Sequence, residues 1–305
     1  IYSGTGSSHA ITYDGNSAMQ PDFCWGRKIS SSGDSWYMVN STTGASRRIM
    51  SDNANAEDGF GLSSFNADGF TTSYHNTSGQ NYINYGWKAN GGTTSTNSNG
   101  TITSTVQANT TAGFSIVSYT GNSTAGATVG HGLGVAPQAI FIKKTSAADD
   151  WACWHTIIAG STLRLNSNAG ENDAKWGAFF NSTTPGTSVV TLGGDNQVNG
   201  SGTYIMYCWT GVQGFSSFGK YLGNGSADGT FVYCGFRPRY VMVKRHNLGG
   251  DGLGNWSIFD VERHINQSST NDRLEADTSD SENNVDVTNN IVDIVSNGFK
   301  MRTGG

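Results

Sequence analysis

The residue types that most often carry chemistry are present in this sequence, but in spacings that fall short of a working set. Gly130-His131-Gly132-Leu133-Gly134 has the form of a phosphate-cradling loop. Such a loop needs the aligned N–H groups of a helix N-terminus behind it. Here Pro137 and a strand-like run follow, so the expectation is a β-connection that uses the positive φ open to glycine. Gly33-Asp34-Ser35 has the form of a nucleophile block for ester hydrolysis, which also requires an Asp-x-x-His pair to activate the serine. Asp260 and His264 are wrongly spaced for that, and the triplet reads as a turn. Glu57-Asp58, Asp149-Asp150, Asp280 and Glu282 are the carboxylates available for a glycosidase pair, all in polar, loop-like stretches. Asp272, Glu275, Asp277, Asp280, Glu282, Asp286 and Asp293 cluster in sequence without the regular ligand spacing of a calcium loop. The histidines (His9, His75, His131, His155, His246, His264) pair with no other ligand at metal spacing. No catalytic residue, metal or cofactor is therefore expected. The remaining chemistry is aromatic: Trp36, Tyr37 and Trp256, beside Asn and Asp, are candidates for stacking on a glycan, with core packing as the competing role.

The elements that must position these residues are repeated, and repetition decides the architecture. Pro21 with Phe23 to Lys28, Pro137 with Ala139 to Lys144, and Pro238 with Tyr240 to Arg245 each give a proline, a short apolar strand and a basic pair. The prolines stand 116 and 101 residues apart. Trp36-Tyr37-Met38-Val39 then corresponds to Trp151-Ala152-Cys153-Trp154 and to Trp256-Ser257-Ile258-Phe259, and Arg48-Ile49 to Arg164-Leu165 and Arg273-Leu274. Asp68-Gly69-Phe70 recurs as Asn297-Gly298-Phe299. A closing strand, Tyr82-Ile83-Asn84-Tyr85-Gly86-Trp87, recurs as Tyr204-Ile205-Met206-Tyr207-Cys208-Trp209 and has no third copy. An opening strand, Gly113-Phe114-Ser115 with Tyr119-Thr120-Gly121-Asn122, parallels Gly214-Phe215-Ser216 with Tyr221-Leu222-Gly223-Asn224, and Tyr2-Ser3-Gly4 matches its tail.

These segments are β-branched or aromatic and bounded by Gly, Asn, Asp or Pro, and no run shows helical periodicity over a dozen residues. The expected fold is all-β: tandem antiparallel β-sandwich repeats of jelly-roll type. The expected units are 1–91 (lacking its opening residues), a Gly/Thr/Ser-rich linker at 92–112 with Thr101 to Val106 as an extra strand, 113–213 (complete), and 214–305 (lacking its closing strand). The 8 Trp, 12 Tyr and 14 Phe are enough to fill three cores. Cys24, Cys153, Cys208 and Cys234 are far apart and read as buried thiols rather than a zinc ribbon or redox pair.

Composition narrows the partners. Glycine is 42 of 305 residues, charged residues are 13%, and the net charge is −5. With no basic run longer than two residues, nucleic-acid binding by phosphate neutralisation is not expected. The longest apolar runs are four residues, against about 20 for a membrane helix, and no basic-then-apolar leader is visible.

The run Ala112 to Asn122, then Ala127-Thr128-Val129-Gly130-His131-Gly132-Leu133-Gly134-Val135-Ala136-Pro137, resembles a repeated domain of unknown function in virion proteins of phages that infect marine bacteria and cyanobacteria. Asn199 to Ile205, Gly223 to Gly229 and Ser296 to Lys300 resemble the same domain. The resemblance implies a non-enzymatic virion component of the tail-fibre or appendage type, made in the host cytoplasm and carried on the particle. The partners it implies are other virion proteins, a host-surface glycan and further copies in a trimer, with no nucleic acid or membrane. A capsid decoration protein, a carbohydrate-binding module and a polysaccharide-cleaving spike are the alternative readings.

Overall fold

The computed structural model describes residues 1–158, 160–172, 174–247, 254–263, 273–282 and 292–302. His264, Asp272 and Asp286 lie outside the described residues. The fold is all-β, with every named strand pair antiparallel and six sheets among the described residues.

The sheets fall into three sets in chain order. The first comprises β1 (Tyr2–Ser3), β2 (His9–Ile11), β3 (Phe23–Lys28), β4 (Tyr37–Asn40), β5 (Arg48–Ile49), β6 (Ser64–Phe65), β7 (Phe70–Thr72) and β8 (Asn81–Trp87). An inner sheet in the order β1-β8-β3-β4-β5 is covered by an outer sheet β2-β7-β6. The second set comprises β9 (Ser95–Asn97), β10 (Ser104–Asn109), β11 (Phe114–Gly121), β12 (Thr128–Gly130), β13 (Ala139–Lys144), β14 (Ala152–His155), β15 (Val189–Thr191) and β16 (Gly202–Trp209). Its inner sheet runs β14-β13-β16-β11-β10-β9, covered by β12-β15 and the helices α1 (Ala174–Phe180) and α2 (Asn196–Asn199). The third set comprises β17 (Phe231–Tyr233), β18 (Tyr240–Val243), β19 (Ser257–Asp260), β20 (Leu274–Glu275), β21 (Val292–Val295) and β22 (Gly298–Met301). Its inner sheet is β18-β19-β20 and its outer sheet β17-β22-β21.

The three proline-led strands thus pair with the same neighbour in the same register. β3 pairs with β4, β13 with β14 and β18 with β19, with Trp25↔Met38, Phe141↔Cys153 and Met242↔Ile258 as corresponding partners. The tail of the opening strand also corresponds: Tyr2 lies opposite Tyr82 and Tyr119 opposite Tyr204. The two ring pairs stack alike, at 5.3 and 5.2 Å.

Strand alternation divides each inner sheet's side chains between two cores. Cys24, Tyr37 and Val39 face the first outer sheet. Ile140, Ile142, Ala152 and Trp154 face the second outer layer, and Val241 and Phe259 the third. The alternate residues Phe23, Trp25, Met38, Ala139, Phe141, Cys153, Tyr207 and Ile258 all meet in one further core. Phe23 packs on Tyr207 at 4.4 Å, Phe141 on Trp256 at 5.8 Å and Tyr85 on Tyr240 at 4.8 Å, so each pair of units touches there. The aromatics expected to fill three separate cores instead build three, plus a fourth that all three sheets share.

Three further expectations are corrected. The stretch 92–112 is not a linker: β9 and β10 extend the second inner sheet, with Val106 buried and paired to Val117. The partner of β14 is Leu163, bridged to Cys153 as Ile49 is paired to Met38 and Leu274 to Ile258, two residues earlier than the Arg164-Leu165 expectation. A two-residue shift keeps the same pleat face, which is why the pattern allowed it. Finally, α1 buries Phe179 and Phe180 over a span too short to show a periodic stripe.

Candidate functional site

Trp36 and its two counterparts precede equivalent strands, and what they bind defines how the units are joined. Trp36 Nε1 donates to the Glu275 carbonyl, Trp151 Nε1 to Met50 and Trp256 Nε1 to Arg164, each at 2.8 Å. In the corrected register Met50, Arg164 and Glu275 each follow the paired residue Ile49, Leu163 or Leu274. The hydrogen bonds therefore run from the first unit to the third, from the second to the first and from the third to the second. They close a ring with pseudo-threefold order.

The first residue of each basic pair repeats this direction. Arg27 Nη1 donates to the Thr278 carbonyl at 3.1 Å, Lys143 Nζ to Ala54 at 3.1 Å and Lys244 Nζ to Ser167 at 3.0 Å. Burial lowers all three: Arg27 to about 10, and Lys143 and Lys244 to about 8. The guanidinium of Arg27 lies 5.1 Å over Trp36, and the ammonium of Lys244 5.2 Å over Trp256. The first residue of each basic pair is thus an inter-unit clasp.

This placement settles the glycan-stacking candidates. Trp36 and Tyr37 are fully buried and Trp256 is 8% exposed, so none offers a ring face to a sugar. Tyr37 stacks on the His75 imidazole at 3.9 Å inside the first unit's own core.

The other sequence candidates are engaged one by one. Glu57 pairs with Arg47 at 3.2 Å, Asp58 with Arg48 at 2.5 Å and Asp150 with Arg164 at 3.3 Å. Asp149 accepts from Asn196 at 2.9 Å. Glu275 pairs with Arg273 and Glu282 with Arg263, at 3.0 and 3.1 Å, and Asp293 pairs with Arg302. Asp277 accepts the Trp256 backbone N–H at 2.9 Å, and burial raises its carboxyl to about 6. Among the described residues no three His, Cys, Asp or Glu side chains converge as a metal site. Gly132 and Gly134 have φ of +76° and +74°, and His131 is buried against the Gly186 carbonyl at 3.1 Å, so that loop is a β-connection. All four cysteines are free, and burial raises the Cys24 thiol to about 12.

An outward-facing site exists elsewhere on the first unit. Phe60 and Tyr74, 52% and 58% exposed, meet edge to face at 5.2 Å. They border a cavity of about 230 Å³ with Lys28, Asp34 and Arg48 on its walls. Arg48 is held by Asp58 through Nε at 3.0 Å, its guanidinium lying 5.6 Å from the Phe60 ring. The Phe60 N–H donates to Asp58 at 3.0 Å, and its carbonyl lies 2.9 Å from His75 Nε2. Desolvation lowers His75 to about 4, so it is neutral at pH 7 and its Nε2–H donates to that carbonyl. Lys28 and Asp34 form an ion pair across the mouth. Two ring edges beside fixed donors and an acceptor make a surface able to stack on and hydrogen-bond a polar ring. The repeat pattern passes over Phe60 and Tyr74. That was the available signal: they are aromatics outside the strands and outside the repeated segments.

No described helix is long and apolar enough to cross a membrane. A family model described as a domain of unknown function, DUF7483, matches residues 1–305. No curated protein and no solved structure matches the chain.

Proposed function

The chain belongs to the DUF7483 family, and on that premise we propose that it is building material of a bacteriophage particle: a tail fibre or appendage segment that presents a surface for host attachment. The observation that carries this reading is the ring of indole-to-carbonyl bonds from Trp36, Trp151 and Trp256, which locks three sandwich units into one block. Each unit is read as a jelly-roll-like repeat sharing its inner face with the other two. A block of that kind transmits load and holds a surface in place, and its weakly charged exterior suits an exposed particle component. The phage assignment itself is supported by the sequence resemblance. Four of the carboxylates a glycosidase would draw on, Glu57, Asp58, Asp150 and Glu282, are engaged in ion pairs, which favours a structural over a catalytic role. Mass spectrometry of purified particles tests the proposal. The chain is expected at the copy number of an appendage, with labelled antibody decorating tails rather than capsid faces. Absence from the particles rejects it, and decoration of capsid faces moves it to the capsid decoration reading.

A second reading is favoured by one observation, the exposed Phe60–Tyr74 pair over the charged cavity. It makes the first unit a carbohydrate-binding surface. A glycan array probed with the protein and with Tyr74→Ala is the test: hits that disappear in the variant support it, and an array without hits removes it.

A further inference from the structure

The second residue of each basic pair is Lys28, Lys144 or Arg245. In the first unit Lys28 forms an ion pair with Asp34. In the second, Lys144 meets a neutral amide instead: its Nζ donates to Asn196 Oδ1 at 2.6 Å. Asn196 Nδ2 donates in turn to Asp149 Oδ2 at 2.9 Å. An amine, a carboxamide and a carboxylate are thus hydrogen-bonded in series. They come from the end of β13, the first residue of α2 and the loop that follows β13.

Each member is held in place by its own surroundings. Lys144 is 5% exposed and lies opposite Tyr204 of β16, with its Nζ 6.0 Å from the Tyr204 ring. The Tyr204 hydroxyl donates to the Asn196 carbonyl at 2.6 Å. Asp195 caps α2 by accepting the Gln197 N–H at 2.9 Å, and is itself paired with Lys175 at 2.9 Å. The Asp149 N–H donates to the Ala54 carbonyl at 2.8 Å, and its own carbonyl accepts from Lys143 Nζ at 2.8 Å. Two glycines leave room for the pair. A Cβ on Gly200 would lie 2.1 Å from Asn196 Oδ1 and 3.0 Å from its Cγ, and one on Gly202 would lie 3.1 Å from Lys144 Cε. Gly202 also has a φ of +147°, which disfavours other residues. Groups held together in this way gain most in an intramolecular acyl transfer. A simple hydrogen bond to Lys144 needs only the amide oxygen. The carboxylate on the amide nitrogen is what a transfer needs.

We propose that Lys144 and Asn196 join in an isopeptide bond, a covalent staple between the inner sheet and the covering layer of the second unit. The neutral amine of Lys144 attacks Asn196 Cγ: the Nζ–Cγ bond forms and the carbonyl π pair moves onto Oδ1. Asp149 takes a proton from Nζ and delivers it to Nδ2, the atom to which it is already hydrogen-bonded. The carbonyl re-forms, the Cγ–Nδ2 bond breaks and ammonia leaves. Amine and carboxamide give a secondary amide and ammonia, so the step balances without a co-reactant. Asn196 is exposed, which gives the ammonia a way out. The staple closes a loop between positions 52 residues apart and so restricts the unfolded chain. In the first unit Asp34 has no amide nitrogen to expel, and the equivalent contact stays an ion pair.

Intact-mass spectrometry of the 305-residue chain, purified at pH 7 and then held at pH 9, is the test. Attack requires the neutral amine, so the higher pH speeds any reaction still incomplete. The expected mass is that of the sequence less one ammonia, and digestion is expected to release a branched peptide that joins Lys144 to Asn196. Lys144→Arg and Asn196→Asp are expected to keep the full mass of their sequences. Asn196→Asp leaves Lys144 an ion-pair partner like that of Lys28, and its urea midpoint is expected below that of the stapled wild type. Asp149→Asn is expected to slow the loss of ammonia by about 100-fold or more, with its circular dichroism recorded to show that it folds. The wild-type branched peptide decides the bond whatever the variants do. Full mass after the pH 9 incubation overturns the inference. So does ammonia lost elsewhere, as from a succinimide at Asn199-Gly200, or lost at an unchanged rate in folded Asp149→Asn.

Discussion

The second and third units carry the same three landmark segments and end as different sheets. Gly113 and Gly214, the glycines that open the repeated first strand, both have positive φ, at +68° and +77°. Phe114 then enters an eight-residue strand paired with β16, while Phe215 is exposed in a segment without strand structure. Local sequence is matched, so the difference comes from the partner. A strand owes its hydrogen bonds to its neighbour, and among the described residues no strand stands beside the third unit's opening segment as β16 stands beside β11. The pair of units separates what a segment's own residues specify, a turn and an apolar alternation, from what only the sheet supplies.

The comparison is broken most directly in the shared core. Trp151 is fully buried and its indole N–H is bonded to Met50. Trp151→Ala is expected to cost about 3–5 kcal/mol of unfolding free energy. Trp256 makes the equivalent bond to Arg164 but borders a cleft. Part of the space its removal would leave is already open, so Trp256→Ala is expected to cost about 1–3 kcal/mol. Urea unfolding of both variants checks the order. Equal losses would mean that the third side of the core is as closed as the second.

Lys143 sharpens the same contrast through the clasps. Its ammonium donates to the carbonyls of Ala54, Lys144 and Asp149. Lys143→Met strips those acceptors of their donor and is expected to cost about 1–3 kcal/mol. The loss has a pH signature. Burial holds the folded group at about 8, below its ordinary 10.5. Between those values the unfolded chain binds more protons than the folded one, so the lysine's contribution to stability grows as pH rises. The gap between wild type and Lys143→Met is therefore expected to widen from pH 8 to 10, read as urea midpoints. Taking the difference cancels the thiol and phenol titrations common to both proteins.

How much of this was legible in the sequence follows from which forces act locally. The proline-led strands and the Trp strands were readable because each carries its own apolar alternation and turn residues. So was the kinship of β8 and β16, since Tyr-Ile-x-Tyr-x-Trp stands at both. The ring of indole bonds was not readable: its acceptors are backbone carbonyls, which every residue has, and the partners lie as far as 239 positions apart. The same blindness made Trp36 and Trp256 plausible as sugar platforms. Residues 92–112 read as linker because Ser, Thr and Asn dominate them, yet β10 is held by its ladder to β11, and its Gln107 side chain reaches Ser41 and Thr42 at 2.9 Å. In the candidate site, Asp34 was noticed for an unrelated motif, while Phe60 and Tyr74 carried no repeat signal.

The first and third units also differ in the sign of their acid response. His75, in the first, is pushed by burial from 6.5 to about 4, and the unfolded chain binds the extra proton between those values. Its contribution to stability therefore rises with pH from 4 to 6.5. Asp277, in the third, is pushed by burial from 3.8 up to about 6, so there the folded form binds the extra proton. Its contribution falls as pH rises across that span. His75→Gln is expected to remove the rise and Asp277→Asn the decline. Unfolding midpoints at pH 4, 5 and 6 should diverge in opposite directions from wild type.

The smallest expected effect on stability falls where the strongest effect on binding is expected. Phe60 and Tyr74 touch each other on the surface and contribute little to any core, so Phe60→Ala and Tyr74→Ala are expected to change unfolding free energy by about 0.5 kcal/mol or less. Trp36 and Tyr37, two of the aromatics the sequence offered as sugar platforms, should behave in the opposite way, with large losses of stability on truncation. If the outer cavity recognises a glycan, ligand binding vanishes in Tyr74→Ala while the unfolding curve stays in place. A stability loss comparable to that of Trp256→Ala would instead make the Phe60–Tyr74 pair part of the first unit's packing, and leave the Lys28, Asp34 and Arg48 walls as an ordinary polar surface.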